Sequence, residues 1–72
     1  GRSLFGGITM YYNYHGQAKK RIREGKLIEF YFTSDYKGIR PALVLVFPDK
    51  VMPIRQYRWE EYFPLLETQE KA

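Results

Sequence analysis

The sequence predicts an α+β fold: a three-stranded antiparallel meander, with an N-terminal basic helix before it and a kinked C-terminal helix after it. Three observations predict it. The stretch from Ile39 to Pro48 contains Ala42-Leu43-Val44-Leu45-Val46-Phe47, a run apolar on both faces if extended, because successive side chains of a strand point to opposite sides. Tyr14, Ala18 and Ile22 recur every four residues, which places them on one stripe of a helix. Trp59, Tyr62, Phe63 and Leu66 stand at i, i+3, i+4 and i+7, a second helical stripe.

Taken in order, residues 1–9 include Gly6-Gly7 and little pattern, and read as a mobile arm or a cloning remnant ahead of Met10 as initiator. The β-branched and aromatic residues of Ile8 to Tyr12 permit a fourth strand at the sheet's edge. Asn13 suits the N-cap of a helix running from Tyr14 to Glu24, and Gly25 suits its left-handed stop. Gly16 is expected to weaken the first turn by about 1 kcal/mol relative to alanine. On this helix Lys19, Lys20 and Arg23 face away from the apolar stripe, while His15 and Arg21 flank it.

Leu27 to Thr33 reads as the first strand, with Ile28, Phe30 and Phe32 on one face. Ser34 to Gly38 supplies hairpin turn chemistry. Pro41 donates no hydrogen bond and belongs at the start of the second strand; Pro48-Asp49-Lys50 closes the next turn. Val51 to Arg55 is the third strand, and Pro53 places it at an edge. The last helix is expected over Arg58 to Glu67, with Glu60 and Glu61 at the positive end of its dipole. Pro64 predicts a kink or a restart, and the tail over 68–72 is expected to fray.

Seventy-two residues make a single domain near the lower limit of a sufficient core. There is no cysteine to staple it, and one histidine does not make a zinc site, so the chain is expected to need no cofactor or metal. Aromatic residues, 18% of the chain, must supply the packing. No run approaches the about 20 apolar residues that span a bilayer, and no signal peptide is visible, so a soluble, cytoplasmic protein is expected. The net charge of +4 is unevenly spread. Residues 19–26 hold five basic side chains against Glu24, whereas Glu60, Glu61, Glu67 and Glu70 face only Lys71 from residue 60 onward.

Three functional readings follow. The first is a non-enzymatic module that self-associates, as a homodimer, or binds a protein through the sheet face carrying Ala42, Val44 and Val46, since an exposed apolar face is an aggregation liability. The second is nucleic-acid backbone binding. Lys19, Lys20 and Arg23 form one candidate contact, and Arg40, Arg55 and Arg58, with Tyr57 and the tyrosines at 31 and 36, form another, because guanidinium groups and aromatic faces suit phosphates and stacked bases. The third is RNA cleavage with His15 as the titrating group. In topology alone, the order of helix and meander resembles small ribosome-associated toxin nucleases, and fold by itself does not imply function. No phosphate loop, metal-ligand spacing or nucleophile motif accompanies it.

Overall fold

A computed structural model describes residues 13–70. The first helix, α1, spans Tyr14–Arg23. The Asn13 side chain caps it, its Oδ1 accepting from the Gly16 N–H at 2.9 Å. Gly25 ends it at φ +79°, where the Lys26 N–H donates back to the Arg21 carbonyl at 3.0 Å. Such a Schellman-type stop needs the left-handed backbone that glycine adopts without penalty.

The sheet has the order β1-β2-β3, all antiparallel, with β1 Glu29–Thr33, β2 Ala42–Val46 and β3 Val51–Arg55. Its central row is Tyr31, Val44 and Pro53. β1 is shorter than its apolar pattern, yet the Ile28 N–H just ahead of it still donates to the Val46 carbonyl at 2.8 Å. In the β1–β2 loop, Lys37 (φ 50°) and Gly38 (φ 94°) reverse the chain, and Asp35 Oδ1 accepts from the Gly38 N–H at 3.0 Å. Pro41 stands just before β2, and Pro53 lies on the edge strand β3, positions where a missing donor costs no interior ladder bond.

A 3-10 turn over Gln56–Arg58 leads into α2, Trp59–Glu70. The helix is continuous through Pro64, so the restart expected there is not seen. Proline removes one backbone bond, to the Glu60 carbonyl. Tyr62 and Leu66, on either side of it, are buried and hold the segment to the core. The fourth strand expected over 8–12 and the arm over 1–9 lie outside the described residues.

Both helices pack on one face of the sheet. Ala18 and Ile22 of α1 and Tyr62 and Leu66 of α2 meet Leu43, Leu45, Met52 and Ile54, with Phe47 closing the cluster. Trp59 is fixed to the sheet by its indole N–H, which donates to the Ile54 carbonyl at 2.9 Å, and its ring meets Phe32 edge-on at 4.9 Å. Tyr14 ties α1 to β3, its hydroxyl donating to the Pro53 carbonyl at 2.9 Å. On the opposite face Ala42 and Val44 are 0% exposed and Val46 is half-buried. The central strand is therefore sheltered on both sides within this chain, and the bare apolar face expected from the sequence does not exist at Ala42 and Val44. No helix among the described residues is long and apolar enough to cross a membrane.

The cap also accounts for Gly16, since a Cβ there would overlap the Asn13 carboxamide. Gly16→Ala is expected to yield none of the about 1 kcal/mol that helix propensity promises, because it displaces a cap of similar worth. In an Asn13→Ala background the same substitution should stabilise, an opposite-sign coupling that urea unfolding of the four variants measures.

Candidate anion-binding groove

The cations of α1 are largely neutralised. Lys19 Nζ lies 2.6 Å from Glu61 Oε1, Lys20 Nζ 3.6 Å from Glu24 Oε2, and Arg21 Nη1 2.6 Å from Asp49 Oδ1. Arg21 also lies over the Phe47 ring, at 5.5 Å from its centroid. Of the predicted triad Lys19, Lys20 and Arg23, only Arg23 has no ion pair among the described residues. α2 and the β2–β3 turn thus each take one cation of the basic stretch, and Glu24 at its own end meets Lys20 and Lys26.

The second predicted cluster is assembled at the end of the sheet where β2 begins and β3 ends. Arg40, Arg55 and Tyr57 line one open cleft of about 310 Å³ together with Ile39, Pro41 and Gln56. An adjoining cleft of about 370 Å³ is lined by Tyr14, His15, Pro53 and again Ile39, Arg55 and Tyr57. Shared lining makes these one groove, with Arg55 and Tyr57 in its middle. The register explains the meeting, because Arg55 pairs with Ala42, two residues beyond Arg40. Arg55 has no ion pair or hydrogen bond among the described residues. Arg40 gives its Nε to Asp35 Oδ2 at 2.7 Å, leaving the tips of its guanidinium uncommitted among the described residues. Tyr57 is 78% exposed, the most exposed of the large apolar and aromatic side chains described. Arg58 instead turns toward α2 and pairs with Glu61 at 3.0 Å, while the predicted partner Tyr31 lies on the sheet face and Tyr36 on the β1–β2 loop.

His15 enters the groove from α1, and neither Tyr62 nor Glu61 was paired with it in the sequence reading. Its Nδ1 is 2.7 Å from the hydroxyl of Tyr62, whose side chain is fully buried. Burial first, and Arg58 second, hold the imidazole below its ordinary 6.5; Glu61 opposes them and Lys19 adds to them. Burial pushes the Tyr62 hydroxyl up, helped by the Glu61 charge. The hydrogen bond from Lys19 lowers the Glu61 carboxyl, with Arg58 assisting. The groove therefore offers a neutral imidazole, one uncommitted guanidinium, a second partly committed one and an exposed aromatic face. Those groups have the chemistry to engage an anion bearing a flat ring. No cluster of three His, Cys, Asp or Glu side chains that might hold a metal occurs among the described residues.

On the face of Ala42, Val44 and Val46, the register partners Tyr31 and Val51 are each 42% exposed, and further exposed apolar surface lies on the helix side of β1. Phe32 is 50% exposed and, with Phe30, Phe63, Leu66 and Glu67, lines a separate cleft between the outer edge of β1 and α2. Comparison with protein-family models, curated proteins and solved structures finds no match for this chain.

Two pH effects follow from Glu61. Its carboxyl titrates below the ordinary 4.5 when folded, so its contribution is complete above that value and is lost as pH falls through the folded range. Glu61→Gln should lower thermal stability at neutral pH and reduce the loss in acid. The same variant removes the one charge that raises the pKa of His15, so an NMR titration should find that pKa lower than in the wild type.

Proposed function

We propose that the protein is a non-enzymatic module that binds the backbone of single-stranded nucleic acid in the Arg40–Arg55–Tyr57 groove. The observation that supports this most is Arg55, an exposed guanidinium without an acidic partner among the described residues, set beside the exposed ring of Tyr57. Arginine forks bind phosphate oxygens in pairs, and an exposed tyrosine face stacks a base whatever its identity. The adjoining clefts share Arg55 and Tyr57, so one strand can run through both.

Binding of an oligouridylate should weaken with salt, with a log–log slope of about −1.4 for two neutralised phosphates of a single strand. Arg55→Ala is expected to cost about tenfold in affinity and about half of that slope. Tyr57→Ala should cost about 1–3 kcal/mol without changing the slope. Arg23→Ala, away from the groove, should leave both unchanged. Fluorescence anisotropy over a salt series reads all four, and an affinity indifferent to Arg55 would refute the proposal.

Self-association is a second reading, favoured by the cleft beside β1. That strand is an edge with half-exposed Phe32 along it, and a second copy presents the same edge, so antiparallel pairing about a two-fold axis closes on itself. Light scattering should find a dimer at high concentration that Phe32→Lys converts to monomer. A monomeric wild type at the same concentration removes this reading.

A further inference from the structure

His15 stands at one end of the groove with one ring nitrogen engaged and the other open. The Tyr62 side chain is fully buried, and its hydroxyl is 2.7 Å from His15 Nδ1. A buried phenol proton needs an acceptor, and Nδ1 is its partner among the described residues. When Tyr62 donates to Nδ1, the neutral ring must carry its own hydrogen on Nε2. That nitrogen has no partner among the described residues, and the ring lines the groove alongside Arg55.

We propose that His15 is a direct phosphate ligand of this groove, its Nε2–H donating to an oxygen of the phosphate held by Arg55 and its tautomer fixed by the Tyr62 hydroxyl. This rests on the nucleic-acid reading above and adds a third donor to it. It also assigns His15 a role other than general base. With its hydrogen on Nε2, the ring has no lone pair free to take a proton from a ribose hydroxyl, so RNA held there is bound and left intact.

Acid adds a second consequence. Protonation places a hydrogen on Nδ1, which the Tyr62 oxygen can accept once its own hydrogen rotates away, while Nε2–H keeps its phosphate contact and gains positive charge. Nearest the ring are Arg58 and Lys19, which oppose protonation, Glu61, which favours it, and Tyr14 and Tyr62; in the same groove stand the Arg55 guanidinium, a further cation that bound phosphate offsets, and Tyr57. Bound phosphate joins Glu61 on the favouring side, so ligand raises the His15 pKa and affinity rises as pH falls.

Oligouridylate is the probe, because neither its bases nor its internal diesters titrate in the relevant range. Wild-type protein should bind it about tenfold more tightly at about pH 5.5 than at about pH 7.5. His15→Gln retains an N–H donor without a titrating group and should bind with little dependence on pH. His15→Ala should be weaker at both values. Tyr62→Phe keeps the buried ring but frees the tautomer; it should lose affinity at neutral pH and recover it in acid, where both ring nitrogens carry hydrogen. A merely structural role for Tyr62 would not produce that recovery. Ring-nitrogen NMR shifts of the unliganded protein should place the hydrogen on Nε2, and a hydrogen on Nδ1 overturns the proposal. Binding that depends on Arg55 but not on His15 overturns this proposal alone. Absence of oligouridylate binding to the wild type overturns the groove reading and this one with it.

Discussion

Tyr62 is the side chain on which both the core and the groove depend. Its ring belongs to the buried cluster that includes Ile22, Leu43, Leu45 and Leu66, and its hydroxyl reaches out of that core to His15. A phenol is suited to this because it combines a large apolar body with one polar tip that must find a partner when buried. Lys19 also lies over the ring, at 5.5 Å from its centroid, while its ammonium reaches Glu61 beside Tyr62 in sequence. One turn of α2 therefore fixes the rotation of α1 about its axis. The rotation of α1 in turn decides that His15 lines the groove.

The same contacts redistribute charge. A helix carrying Lys19, Lys20, Arg21 and Arg23 looks like a phosphate-binding surface until Glu61, Glu24 and Asp49 are set against it. Exposed pairs of this kind are worth little individually, at about 0–1 kcal/mol, but they cancel the local field that an anion would sense. Positive charge that escapes such pairing is then what a ligand meets, and Arg55 is the instance that also lies beside an exposed aromatic ring and an imidazole.

Local signals were legible in the sequence because local physics sets them. The Asn13 cap, the Gly25 stop, the Pro53 edge strand and the two helical stripes each depend on residues a few positions apart, and all appear in the fold. That Arg40 and Arg55 can share one end of the hairpin was legible from strand geometry, but the register that decides it appears only in the fold. His15 with Tyr62 and Lys19 with Glu61 were not, being 47 and 42 positions apart and joined only by helix–helix packing. Helical periodicity shows which face a residue occupies, not what the partner helix brings to that face. The shelter of Val44 was missed for a related reason. In the folded sheet it is flanked in register by Tyr31 and Pro53, and its burial is a property of the assembled face, not of its own strand.

If the groove binds nucleic acid as proposed, its chemistry favours one kind over another. Tyr57 offers a face, and the bases of a duplex have both faces covered by their neighbours, so stacking requires bases that are already unpaired. Arg40 and Arg55 sit together at one end of a narrow sheet and line a single cleft, whereas a duplex presents its phosphates along two separated backbones and is best met by a broad basic surface or an inserted helix. The basic helix, α1, has Lys19, Lys20 and Arg21 tied to Glu61, Glu24 and Asp49, and leaves only Arg23 without an ion pair among the described residues. A flexible strand pays less for this geometry than a rigid duplex does, because it can bend one phosphate toward Arg55 while turning the adjoining base onto Tyr57.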